Sequence, residues 1–193
     1  MRRYIILALA LAAVSHQSAA DETQIPYAGL ETREIATLSE SDIADLEAGR
    51  GWGFALAAEL NGHPGPAHVL ELAEDLDLSA DQIARMGLIF QEMQEEAVAL
   101  GTEFIAAERA LNAAFTRGRL NAPELVALVN AAGNARANLR FVHLSSHLQT
   151  LDVLTIEQID RYNILRGYSD DPCANIPEGH NEAMWRRHNG CDR

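Results

Sequence analysis

The chain has 193 residues, with 28 Asp and Glu against 15 Arg, no Lys, and a formal net charge of -13. Such an acidic protein does not seek nucleic acid phosphates or anionic lipid as a whole. Its length suits one domain, and two cysteines are too few to make it a disulfide-built scaffold.

The first twenty residues read MRRYIILALALAAVSHQSAA. Arg2 and Arg3 make a positive start, Tyr4 to Val14 are almost wholly apolar, and Ser18 and Ala20 place small residues before a cut ahead of Asp21. That layout predicts a secretory signal peptide over 1–20 and a periplasmic location. The apolar run is shorter than the roughly 20 residues that span a bilayer. No other stretch is long and apolar enough, so the mature chain is expected to have no membrane span. Removing the two arginines takes the charge from -13 to -15. An N-terminal region, 21–64, follows. Asp21 to Thr37 is polar and aperiodic and reads as an extended or disordered arm. Ser39 to Arg50 predicts a short helix stopped by Gly51. In GWGFALAAELNGHPGPAHVL the glycines and prolines mark turns around a short apolar helix near Phe54 to Leu60. Pro66 then opens another helix, expected to run to about Leu76.

The stretch 65–168 carries the strongest pattern. From Ser79 to about Arg117 there is no Pro, and Ile83, Met86, Phe90, Met93, Ala97, Leu100, Phe104, Ala107 and Leu111 recur in steps of three and four. That is a coiled-coil-like seam on one long helix. Gly118 can adopt the left-handed stop conformation, and Asn121 can cap a second helix with Pro123 in its first turn. A second seam runs Leu125, Leu128, Ala132, Ala135, Leu139, Val142, to about Val153. The short connection makes the two helices antiparallel neighbours. A third helix is expected from Thr155 to about Arg166. The fold class is therefore all-α, a long antiparallel helical hairpin with shorter capping helices.

Helix starts repeat. LTIEQI (154–159) and LSADQI (78–83) share a pattern, and LSESDI (38–43) is a looser copy. Thr155 with Gln158, and Ser79 with Gln82, make capping boxes, and Leu154 and Leu78 precede them as hydrophobic staples onto Ile159 and Ile83. Each cap is worth about 1 kcal/mol. Capping alone argues only for a helical domain.

The arrangement of a signal peptide and two L-[ST]-x-x-Q stretches bracketing a helical hairpin resembles the LTxxQ-motif family of periplasmic proteins, over roughly 65–168. That family includes the Spy and CpxP type of envelope-stress chaperones and related heavy-metal sensor and resistance proteins. The resemblance implies a hairpin paired into a homodimeric cradle, no catalytic centre, and clients that are unfolding envelope proteins held without ATP. The best-known cradles are basic on their client face, and this chain departs from them by being acidic.

A metal-binding alternative rests on His143 and His147, spaced i, i+4 on one helical face. They could share Zn, Cu, Ni or Co, with further ligands from a facing helix, where Glu95, Glu96 and Glu103 are available, or from a partner chain. The bland reading is that both rings fill the edge of the seam against facing carboxylates. A third alternative is a structural interaction module of the envelope. The tail, 169–193, holds Cys173, His180, His188 and Cys191. Its cysteines favour a disulfide over a zinc site in an oxidising compartment, with Trp185 covering part of the hairpin. No nucleophile elbow, P-loop, H-E-x-x-H or dinucleotide fingerprint is present, so no enzyme, no required cofactor and no nucleic acid partner is expected.

Overall fold

The computed structural model describes residues 27–189 and Cys191. The signal-peptide segment and residues 21–26 of the arm lie outside the described residues. The chain divides into two compact units, 1–32 and 33–193. In the first, the described residues form a turn and a 3-10 helix, Leu30–Thr32. The second contains seven α-helices among its described residues: α1 (Glu40–Glu47), α2 (Leu56–Glu59), α3 (Pro66–Glu71), α4 (Ala80–Thr116), α5 (Ala122–Leu151), α6 (Ile156–Leu165) and α7 (Glu182–Asn189). The only strand-like feature among the described residues is an isolated bridge between Ile35 and Leu38. No described helix is long and apolar enough to cross a membrane.

The hairpin is α4 and α5, of 37 and 30 residues. At 1.5 Å per residue the longer one spans about 55 Å. Arg117 to Asn121 joins them, with Gly118 in the left-handed conformation (φ 69°) and the Asn121 side chain accepting from the Glu124 N–H. Both seams form. Met86, Ala97 and Phe104 of α4, and Ala132, Ala135, Leu139 and Val142 of α5, are buried. Ile83 departs from its seam and is 41% exposed.

Two apolar clusters hold the second unit together. The first joins Ile35, Leu38, Leu46 and Phe54 to Ala97, Phe104, Leu139 and Val142 at the middle of the hairpin. The second joins Val69, Leu76, Met86, Val153 and Tyr162 at its base. The arm expected to be extended or disordered to Thr37 therefore ends differently. Ile35 is fully buried with Leu38, and polar contacts tie the same segment to α4, with Arg109 on Glu34 and Thr37 donating to Glu108, each at 2.7 Å. The close approach of α1 is set by Gly101, where a Cβ would run into the carbonyl oxygen of Leu46. α3 stops at Glu71, short of Leu76. Leu72 already leaves the helical region (φ -102°, ψ 18°), and hydrogen-bonded turns carry the chain on to Asp77, which sits at φ 49°.

Candidate functional site

The repeated helix starts meet in space. Ser79 and Gln82 form the capping box of α4, and Thr155 and Gln158 that of α6. The two glutamine amides then bond each other. Gln82 Nε2 donates to Gln158 Oε1 at 2.7 Å, and Gln158 Nε2 donates to Gln82 Oε1 at 3.2 Å. Each second N–H goes to a carbonyl beside the opposite cap, Gln82 to Val153 O (3.0 Å) and Gln158 to Leu76 O (3.2 Å). Each Oε1 also accepts from its own cap N–H, Ser79 and Thr155, at 3.0 Å. Both amides thereby use both donors and both acceptor positions. Leu78 and Leu154 pack onto the basal cluster beside this clasp. The motif is a fastening between the start of the hairpin and the chain that leaves it. The looser copy at Ser39 and Asp42 forms a capping box as well, but joins no second box.

His143 and His147 share a face of α5, as their spacing predicts, and both are buried. They do not meet Glu95, Glu96 or Glu103, which are exposed on α4. The carboxylate that reaches the pair is Glu59 at the end of α2, only 5% exposed. Its Oε2 lies 3.8 Å from His147 Nδ1, and its Oε1 lies 3.3 Å from His68 Nδ1 and 3.6 Å from Arg166 Nε. The Tyr162 and Tyr168 hydroxyls both donate to Oε1, Tyr168 at 3.1 Å. Burial first, and the bond to Glu59 second, push the Tyr162 hydroxyl pKa far up, so it stays a donor. His147 Nδ1 donates to the His63 carbonyl at 2.7 Å, since a carbonyl only accepts. Gly65 lies flat against that ring, where a Cβ would come within 2.7 Å of it. Burial first, and neighbouring His147 second, hold the His143 imidazole below its ordinary pKa, so it is kept neutral.

The sequence pattern singles out the histidine pair and misses Glu59, His68, Tyr162, Arg166 and Tyr168. One signal is legible: Glu59 is the lone acid in FALAAEL, and an acid inside an apolar run needs partners. Glu59, His68, His143 and His147 border a cavity of about 500 Å³ between the α1–α3 segment and the hairpin, with Trp52, Phe90 and Met93 among its walls, while Tyr162, Arg166 and Tyr168 hold Glu59 from behind. Of the cavity lining, Glu59 Oε2 and His143 Nε2 are buried without a hydrogen-bond partner, as is Arg166 Nε behind Glu59. Among the described residues, no three His, Cys, Asp or Glu side chains are grouped to hold a metal ion.

The outer side of α5 is unlike that of α4. Val126, Val129, Phe141 and Leu148 are 59, 49, 69 and 59% exposed. With Gly133, Ala137 and Leu144 they recur every three or four residues, which makes one stripe roughly opposite the buried seam. α5 carries Arg136 and Arg140 against the single acid Glu124, so this stripe is not acidic although the chain is.

Cys173 and Cys191 are bonded to each other, with Cα atoms 5.5 Å apart, so neither is a zinc ligand. Trp185 is used within the tail: its indole N–H donates to Pro172 O at 2.7 Å and its ring meets His180 edge-on. No family profile, no curated protein and no solved structure matches the chain.

Proposed function

We propose that this chain is a non-enzymatic binding protein of the cell envelope that holds partly unfolded proteins on the outer face of α5 without ATP. The observation that carries the reading is the second apolar stripe of that helix. A helix apolar on both sides is ordinarily buried on both sides. Here one stripe packs on α4 while Phe141 and Leu148 stand exposed. Contiguous apolar surface of this kind, rimmed by polar residues, marks interaction sites. The absence of acids on α5 beyond Glu124 removes the repulsion that the acidic composition would impose on acidic clients. The signal-peptide pattern and the two LTxxQ-type stretches support the envelope location and the stress-response role. A homodimer belongs to the same proposal, since pairing two such faces would widen the holding surface.

The test is suppression of aggregation of an unrelated unfolding protein, without nucleotide or metal. The native chain at severalfold excess is expected to suppress it. Phe141→Asp with Leu148→Asp is expected to lose most of that effect at unchanged helix content. No suppression by the native chain, or full suppression by the variant, would sink the reading. Sedimentation of both proteins reports the dimer in parallel. The metal reading at His143 and His147 is favoured by no grouping of three ligands among the described residues, and zinc enters only as a competing arm in the titration of the cavity.

A further inference from the structure

The cavity beneath the α1–α3 segment lies away from the outer face of α5, so a ligand held in it is independent of client binding. Its floor carries unpartnered polar atoms, of which His143 Nε2 donates or accepts according to its tautomer. Glu59 Oε2 and His143 Nε2 are buried and unpartnered, and their residues are 5% and 4% exposed. His147, beside them, gives its Nδ1 proton to the His63 carbonyl. Ser146, also on the floor, gives its hydroxyl proton to the His143 carbonyl at 2.8 Å and keeps its oxygen lone pairs. Arg166 and both tyrosine hydroxyls act on Glu59 Oε1, which leaves Oε2 as the free edge of the carboxylate. The rim adds the Glu71 carboxylate, and the rim cation Arg50 is taken by Asp45 at 2.5 Å. The walls are different in kind: Trp52, Leu56, Phe90 and Met93 are apolar.

Glu59 Oε2 and the Ser146 oxygen favour a ligand that brings donors, and the Glu59 and Glu71 carboxylates favour a positive one. A bare metal ion would leave the apolar walls without a role, and among the described residues no three ligating side chains are grouped for it. An ammonium with an apolar body uses both halves. Its N–H donors match the Glu59 and Ser146 oxygens, while Trp52 already carries the Arg136 guanidinium over its ring and so offers the ligand apolar area. A volume of about 500 Å³ falls in the range of small-molecule sites. We infer that this cavity binds a small organic amine, its ammonium set against Glu59 and His143 and its body against Trp52, Phe90 and Met93.

The experiment titrates the full mature chain with n-hexylamine, with hexanol and zinc chloride as parallel arms. Binding is followed by calorimetry and by Trp52 fluorescence in a Trp185→Phe background. Hexylamine is expected to saturate, to bind at least about tenfold more tightly than hexanol, and to lose at least about tenfold in Glu59→Gln. Ala67→Phe, which fills the mouth of the cavity and leaves the floor intact, is expected to abolish the response. It decides the matter if Glu59→Gln does not fold. Equal binding of hexanol and hexylamine would reduce the cavity to an apolar void and overturn the inference. So would hexylamine binding that survives Ala67→Phe, absence of saturation by about 10 mM, or zinc binding tighter than hexylamine that His143→Gln removes.

Discussion

The two long helices are paired along one seam and differ in charge, although α4 too exposes Leu88, Val98 and Phe115. α4 is charged outside: Asp81, Glu92, Glu95, Glu96, Glu103 and Glu108 stand against Arg85 and Arg109. Its length is held by α1 and α3 packing along it as well as by α5. α5 has one acid and two arginines, one of which, Arg136, lies over Trp52 and Phe54, and it carries apolar side chains on its outer face. A solvated helix announces its core side by contrast between faces, and α4 does so. A helix with two apolar stripes has no such contrast, and the second stripe must be explained by something outside the fold. The difference teaches that the hairpin is asymmetric: α1, α3 and α5 all pack along α4, whereas α5 keeps an apolar stripe on its outer side.

Substitutions at glycines and clasp residues sharpen this division. The largest effect is expected on the α4 side. Gly101→Val forces a branched side chain against the Leu46 backbone, and overpacking of this kind costs about 2–3 kcal/mol, read by urea denaturation. Gln82→Ala or Gln158→Ala removes four hydrogen bonds from a part-buried site and is expected to cost about 2 kcal/mol. The double variant should cost less than the sum, with a coupling of about 1 kcal/mol in a double-mutant cycle. Strict additivity would mean that the two amides act separately.

A smaller, pH-dependent effect belongs to His143. Its folded pKa is depressed, so the unfolded chain takes a proton more readily. The stabilising preference for the neutral ring is therefore intact above the ordinary imidazole value of about 6.5 and is lost progressively as pH falls below it. His143→Gln should flatten the acid side of the melting-temperature profile. An unchanged profile would place the acid sensitivity elsewhere. On the outer side of α5 the sign reverses: a Cβ at Gly133 meets nothing within 4 Å, so Gly133→Ala is expected to gain about 0.5–1 kcal/mol. Last, Cys173→Ser with Cys191→Ser should leave the hairpin's melting temperature nearly unchanged. Neither core cluster includes a residue beyond Tyr168, so the staple orders the tail alone.

Much of the fold is legible because local signals agree. Ser79, Asn121 and Thr155 each cap the helix expected of them, and the observed bounds of α4, α5 and α6 fall within a residue or two of the periodic stretches. The disulfide agrees with the expectation drawn from the even cysteine count. What the sequence hides is long-range. The pairing of Gln82 with Gln158 joins positions 76 apart, and no local rule links two capping boxes. The Glu59 network draws on α2, α3, α5, α6 and the turn after it, so its members are scattered over more than a hundred positions. His143 and His147 are visible because helical spacing is local. Their carboxylate is not, because α4 is the sequence neighbour with most acids and the one that reaches them stands on α2. The docking of Ile35 is hidden by its polar surroundings.

The glutamine clasp has a topological meaning. It shuts residues 79 to 158 into a ring without a covalent bond, since the place where the chain enters the hairpin is tied to the place where it departs. A cut at the tip, between Arg117 and Asn121, would therefore open the ring without releasing its halves. Nicked protein should run as one particle on a sizing column and separate into two fragments only when denatured. New termini could be introduced at that tip with less disturbance than anywhere along either arm.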